Sequence, residues 1–407
     1  MYLRIAWRNI WRNPRRTMVM VTAVVVGVWS MICLGALMRG MVDQMIRNGI
    51  STLTGHLQIH SKGYREDPVV ENSISDPERV LSLLKERLPV GALWTTRVRV
   101  SAVVANARHS SGVTLVGIMP DQEAEVSFIY QAVSEGRYLG SGDRNGILLG
   151  EALADKFETR LGRKLVLMSQ DASGEIASRA FRIVGIFKAE MEATEEQYVF
   201  VKLSSAQEML KMGEGISEIS IMLSERKSVG QVAEVLRGAL DPSIYDVHTW
   251  EEVLPMVAAI QKLYDWFIFI WYLVVFIAMG FGIVNTTLMA VFERIREFGL
   301  LKALGMRPGR IVKGVLTETS FLLLVGMMIG NIVGFVTIAL LSDMGIDLSA
   351  LAEGLEYAGM SRTIFPVIMA KDVIVANLVV LFLGLTVSVY PAVKAARFRP
   401  VQAMRHT

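Results

Sequence analysis

The chain has little cysteine: one residue, Cys33, in 407. It lies in an apolar stretch, so the polar segment 39–265 that follows has no disulfide and must be held by its core alone, which a segment of that size can build. Ser30-Met31-Ile32 before Cys33 lacks the small-residue pattern of a lipid-attachment site. No A-x-A site follows residues 17–38, and their apolar run is far longer than a signal-peptide core of about 7–15 residues, so cleavage is not expected. No G-x-x-x-x-G-K-[ST] loop occurs, which removes the backbone cradle for nucleotide phosphates and excludes an ATPase of that type. No G-x-S-x-G elbow occurs either, so nothing positive points to catalysis. His56 and His60 form H-x-x-x-H in an apparent strand, on one face, without an adjacent Cys or acidic ligand. That favours a structural or solvated role over a metal site, and no metal is expected.

Charge is missing from four stretches, 17–38, 266–292, 319–342 and 373–393, none of which contains Asp, Glu, Lys or Arg. Each is long enough to cross a hydrocarbon core of about 30 Å at ~1.5 Å per residue. The expected fold class is an α-helical membrane protein of four transmembrane helices with a large α/β extracytoplasmic domain between spans one and two. Arg4, Arg8, Arg12, Arg15 and Arg16 precede the first span, and Lys394, Arg397, Arg399 and Arg405 follow the last, with no acid among them. Basic flanks stay cytoplasmic, so both termini are expected inside. The net charge of +3 sits on these edges and gives no reason to expect nucleic acid.

The chain then divides into an amphipathic elbow helix at 1–16, first span and stalk at 17–50, external domain at 51–247, and stalk and second span at 248–292. A cytoplasmic helix and loop at 293–318, third span at 319–342, short external loop at 343–372, fourth span at 373–393 and cytoplasmic tail at 394–407 complete it. In the elbow, Arg4, Arg8 and Arg12 oppose Leu3, Trp7, Ile10 and Trp11, with Pro14 as the break. This suits the headgroup boundary, or is a topology signal alone. In the external domain, strand-like runs at 56–60, 98–105, 112–118, 165–168, 181–187, 197–201 and 218–223 alternate with helical runs at 77–88, 150–157, 203–212 and 229–240. Gly-rich turns mark a β-rich subdomain, about 125–215, inserted in an αβ one. Helical stalks are expected at 38–50 and 248–265.

Residues 293–304 read as a short amphipathic helix, with Ile295, Phe298, Leu301 and Leu304 at i, i+3, i+6 and i+9 and a stop at Gly305 and Arg307-Pro308-Gly309. By pattern alone this is a membrane-surface helix or a docking helix for a cytoplasmic partner. Gly326, Gly330 and Gly334 on span three permit close helix approach, expected within the subunit.

Glu293-Arg294-Ile295-Arg296-Glu297-Phe298-Gly299 through Lys302-Ala303-Leu304-Gly305-Met306 resembles the E-R-x-R-E-[IF]-G…K-A-[LI]-G signature of FtsX-like, MacB-type ABC transporter permeases. Arg8-Asn9 through Arg16-Thr17 is similar to that family's N-terminal R-N-x-x-R-x-x-x-R-[TS], and Pro391-Ala392 through Met404-Arg405 to its terminal P-A-x-x-A-x-x…P-x-x-A-[LM]-R. External segments such as Gly117-Ile118-Met119-Pro120 and Val184-Gly185-Ile186-Phe187 also resemble the family's periplasmic domain. The resemblance implies that Glu293, Arg294, Arg296, Glu297, Phe298, Gly299, Lys302, Ala303, Leu304 and Gly305 couple the chain to an ATP-binding subunit. It implies two such subunits holding ATP and Mg, no cofactor on this chain, and a second permease, identical or paralogous, in a bacterial inner membrane. Gly55-His56-Leu57-Gln58-Ile59-His60 is most similar to the lipoprotein-releasing branch, LolC/LolE-like, implying a lipoprotein or other lipophilic substrate and a periplasmic carrier. Export of a peptide or antibiotic through an outer-membrane partner, or mechanical activation of a periplasmic enzyme, are the alternatives the family leaves open. Val28, Met31, Leu34, Phe267, Ile270, Val274 and Ile277 are the candidate lining of a substrate chamber between paired first and second spans.

Overall fold

The structure is a computed structural model and describes residues 13–347 and 363–398. The elbow residues 1–12, most of the loop between spans three and four, and the terminal motif from Arg399 onward lie outside the described residues. Two compact units are present. One holds 13–44, 260–347 and 363–398; the other holds 45–259.

In the first unit the four apolar stretches are helices, Pro14–Gly49, Pro255–Glu293, Pro308–Met344 and Ala370–Arg397, here called the first to fourth helices. Three begin at proline, whose missing N–H costs nothing in the first turn. All four are long and apolar enough to cross a membrane. A Cβ placed on Gly326 would lie 2.7 Å from Val24 Cβ, one on Gly330 2.9 Å from Val28 Cβ, and one on Gly334 3.2 Å from Ile32. Three glycines spaced by four thus receive three β-branched residues spaced by four. As expected from the glycine pattern, this close approach lies within the chain, between its first and third helices. Asn331 and Asn377 exchange hydrogen bonds of 2.8 and 3.0 Å between the third and fourth helices.

The second unit carries ten strands: β1 Leu57–Ser61, β2 Leu93–Ala105, β3 Ser110–Ile118, β4 Val133–Gly136, β5 Gly146–Gly150, β6 Lys164–Gln170, β7 Ile176–Phe187, β8 Tyr198–Lys202, β9 Glu218–Met222 and β10 Tyr245–Thr249. Their order is β10-β1-β9-β2-β3-β8-β5-β7-β4, and β6 pairs with both β2 and β7. That last pairing closes β2-β3-β8-β5-β7-β6 into a ring, filled by Val98, Val100, Leu115, Leu149, Leu167, Phe181 and Val199 among others. The expected insert at about 125–215 is therefore corrected. The β-rich part also draws in β2 and β3, and its boundary runs through the middle of β2. Thirteen residues suffice for this strand to pair β9 through Leu93–Arg97 and β6 through Val103–Ala105.

The second stalk is also corrected. Instead of one helix over 248–265 there is β10, a single turn Trp250–Val253, and a break at Leu254 before the second helix begins at Pro255. Thr249 and Glu252 form a capping box that starts the single turn, and Pro255 has no N–H with which to continue it. The first stalk does prolong its span, to Gly49, and closes with a π turn at Ile50–Thr54.

The carbonyl of Leu53 in that π turn meets a fully buried ionic cluster. Arg97 donates to it, to both oxygens of Glu123 at 2.9 and 2.8 Å, and to Glu218 at 3.0 Å. Burial opposes the charge on Arg97, but Glu123 and Glu218 overcome this and its pKa stands above the ordinary value. Burial likewise pulls the Glu218 carboxyl upward; Arg99 and Arg97 outweigh it and hold the carboxyl below its usual range. Such a cluster adds little net stability against an apolar equivalent, but breaking it strands a buried charge.

Candidate functional site

The chain between the second and third helices is short and fully specified. The second helix stops at Glu293, Arg294 leaves helical geometry with φ −109° and ψ 16°, and a separate helix runs from Ile295 to Ala303. Its end is a Schellman turn: Gly305 N–H donates to Lys302 O at 3.0 Å and Met306 N–H to Leu301 O at 2.9 Å, with Gly305 at φ +88°. A side chain at Gly305 would meet no neighbour, so the glycine is there for its backbone conformation.

The ten residues expected to couple to a partner separate by what they touch. Phe298 is buried among Val291, Ile311, Val315, Ala392 and Ala395, and Ile295 and Gly299 are buried beside it. Lys302 Nζ donates to the carbonyls of Ala396 and Phe398 at 2.9 and 2.7 Å, satisfying the end of the fourth helix. Glu293 accepts from Asn13 at 2.7 Å and from Arg16 at 3.3 Å. Arg294 bonds Glu297 and Glu318, both at 2.9 Å. These residues hold the helix to its own chain. Ala303, Leu304 and Gly305 are exposed, as are Arg296 and also Leu300, which the periodicity had not singled out. The expected stripe of Ile295, Phe298, Leu301 and Leu304 thus divides, since the first two are buried, Leu301 is half-buried and Leu304 is 77% exposed. Leu300, 55% exposed, sits one turn before Leu304 on the outward face. A spacing of four between leucines was visible in the sequence, but which of two apolar rows faces inward depends on the helices beneath.

The candidate chamber residues also separate. Phe267, Ile270, Val274 and Ile277 fall at i, i+3, i+7 and i+10 and form one exposed stripe on the second helix. Leu34 is half-buried. Val28 and Met31 are fully buried in the chain's own bundle, which corrects their assignment to a chamber. Val28 is drawn in by Gly330, which leaves no side chain to keep it out. In the other unit, His56 accepts from Leu223 N–H at 3.1 Å. His60 sits between Gln58 Oε1 at 3.0 Å and Ser217 O at 3.3 Å. No cluster of metal-ligating side chains occurs among the described residues.

Four membrane-crossing helices, a helix-turn insertion between the second and third, and a mixed α/β domain between the first and second define a multi-pass membrane protein of the permease type. The sequence model of the MacB-like periplasmic core domain matches residues 17–239, and that of the FtsX-like permease C-terminal region matches 268–400, so the chain belongs to the FtsX-like, MacB-type ABC transporter permeases. It is similar to the lipoprotein-releasing system transmembrane protein LolC of Xylella fastidiosa, at 24% identity over 96% of this chain and 94% of that one. It is also similar to the macrolide export ATP-binding/permease protein MacB of Campylobacter jejuni, at 21% identity over 98% of this chain and 60% of that protein. The solved periplasmic region of MacB from Actinobacillus actinomycetemcomitans aligns with 53% of this chain and 98% of its own length, at TM-score 0.37 and 16% identity. Membership of this family implies an ATP-binding partner subunit.

Proposed function

We propose that the chain is the permease subunit of a transporter that uses ATP hydrolysis by a separate cytoplasmic ATPase to extract lipoproteins from the bacterial inner membrane towards a periplasmic carrier. The observation that carries this reading is the similarity to LolC, which runs end to end on both chains. In this reading both termini are cytoplasmic, and two ATP-binding subunits sit beneath two permeases, identical or paralogous. Each ATP-binding subunit docks on the outward face of the helix Ile295–Ala303 and its turn, through Leu300, Ala303, Leu304 and Gly305 with Arg296 beside them. Two exposed leucines one turn apart on an anchored helix are anchors of the kind a groove accepts. ATP-driven approach of the ATPases then moves the short helix, and the spans follow. The exposed stripe Phe267, Ile270, Val274 and Ile277, with Leu34, faces the lipid-bearing substrate.

Depletion of the protein tests this. Lipoproteins retained in the inner membrane support extraction; an unchanged distribution between the two membranes rejects it. The similarity to MacB favours a second reading, export of a peptide or antibiotic through an outer-membrane partner, for which deletion would instead sensitise cells to that compound.

A further inference from the structure

Glu318 lies inside the third helix, 9% exposed, and was not among the residues the sequence signalled. Its Oε1 accepts from Arg16 Nη2 at 3.2 Å, and its Oε2 accepts from Arg294 Nη1 at 2.9 Å. Arg16 belongs to the first turn of the first helix. Arg294 is the non-helical residue that joins the second helix to the short helix Ile295–Ala303. One carboxylate therefore ties three separate segments.

The ties to the short helix differ in kind. Phe298 packs into an apolar cluster, which resists lifting but is non-directional. Lys302 holds the far end to the fourth helix. At the near end the backbone has lost helical continuity at Arg294, so the orientation there rests on side chains. A guanidinium fork is directional: Arg294 reaches Glu318 with one nitrogen and Glu297 of the short helix with another, and its Cζ lies 5.3 Å from the centre of the Phe298 ring. Arg16 carries the same carboxylate to the first helix and also reaches Glu293, the last residue of the second.

We infer that Glu318 is a positioning residue for transport, the joint through which displacement of the short helix reaches the first and third spans. This rests on the reading that the short helix is where the ATP-binding subunit docks. With Glu318 intact the short helix and the first span move together; with its charge removed, the helix moves on its partner and the span does not follow.

The test uses the full chain purified with its ATP-binding subunit, with Cys33 replaced by Ser and nitroxide labels on cysteines at the exposed positions Met18 and Phe281. In the otherwise native protein, ATP with vanadate changes the distance between the first and second helices relative to the nucleotide-free state. In Glu318→Gln the ATP-binding subunit still co-purifies and hydrolyses ATP, but the population showing the change falls by about 2- to 30-fold, the span of effects for one link in a coupling network. Glu318→Asp, which keeps the charge, restores it; a structural requirement alone would lower yield or partner binding together with the distance change. Retention of the native distance change in Glu318→Gln, or its absence from the native protein, overturns the proposal. If Glu318→Gln does not accumulate, Arg294→Gln, which leaves the Arg16–Glu318 link in place, decides by the same reading. Failure of the docking assumption shows separately, as undiminished co-purification in Leu304→Asp.

Discussion

Arg39 in the first helix and Asp372 in the fourth form a two-pronged ion pair, Nε to Oδ2 at 2.6 Å and Nη2 to Oδ1 at 3.0 Å. Arg39 also reaches Asp265 of the second helix at 2.5 Å. Three helices are thereby joined by one arginine whose side chain is 9% exposed. Its arrangement mirrors that of Glu318, where one carboxylate gathers two arginines.

Removing Arg39 leaves Asp372, whose side chain is 13% exposed, without its two-pronged partner, whereas Asp265 is 46% exposed and stays in contact with solvent. Arg39→Met is expected to destabilise the protein by about 3–5 kcal/mol, and the double change Arg39→Met with Asp372→Leu by less than the single one. Thermal unfolding in detergent measures both. Equal losses in the single and double variants would mean that the pair is not the source of the effect.

The glycine ridge makes a second prediction. Gly330→Ala places a methyl 2.9 Å from Val28 Cβ and 3.1 Å from the Val25 carbonyl, so the first and third helices must separate, at a cost of about 1–3 kcal/mol. Gly314→Ala in the same helix meets nothing and is expected to stabilise by up to about 1 kcal/mol. The opposite signs of two identical substitutions are read from the same unfolding curves.

For the short helix, Leu304→Asp is expected to abolish co-purification of the ATP-binding subunit without lowering the yield of folded permease. Phe298→Ala, by contrast, empties a buried site and costs about 3–5 kcal/mol of stability. Gly305→Val forces a β-branched residue to φ +88° and distorts the turn that presents Leu304, so partner binding weakens while the spans remain intact. Detergent pull-down beside a thermal scan separates the two effects.

The α/β domain carries a pH prediction. Burial lowers His60 to about 4, with His248 and Arg99 adding to this while Glu218 and the Ser217 carbonyl oppose it. Between pH 4 and 6.5 the unfolded chain binds a proton that the folded one refuses, so stability falls as pH drops through that window, by up to about 3 kcal/mol. Glu218, whose folded value lies below the ordinary 4.5, contributes stability that is present above 4.5 and lost on further acidification through its folded value. His60→Gln should flatten the slope between pH 6.5 and 4 and leave the loss at lower pH in place. Denaturant midpoints taken across pH, with near-UV dichroism as the signal, measure this.

Much of this architecture is legible along the chain because it depends on near neighbours. A run without charge from 266 to 292 spans a bilayer whatever packs beside it, and Gly305 beyond an amphipathic run ends a helix through its own backbone freedom. The glycines at 326, 330 and 334 even announced that a partner helix would approach closely. What could not be read there is which residues face one another. Along the chain Val28 reads as a candidate chamber residue, yet Gly330 receives it inside the bundle, and Leu300 falls outside the expected stripe because helical spacing offers two apolar rows without saying which one the neighbouring spans cover. The ring closed by β6 on β2 joins Val103 to Met168, and Glu318 joins Arg16 to Arg294 across some three hundred residues, pairings that rest on long-range chain closure and on directional charge geometry. Local periodicity reports the cost of exposing a residue to water or lipid, and it holds no record of the partner that will cover it.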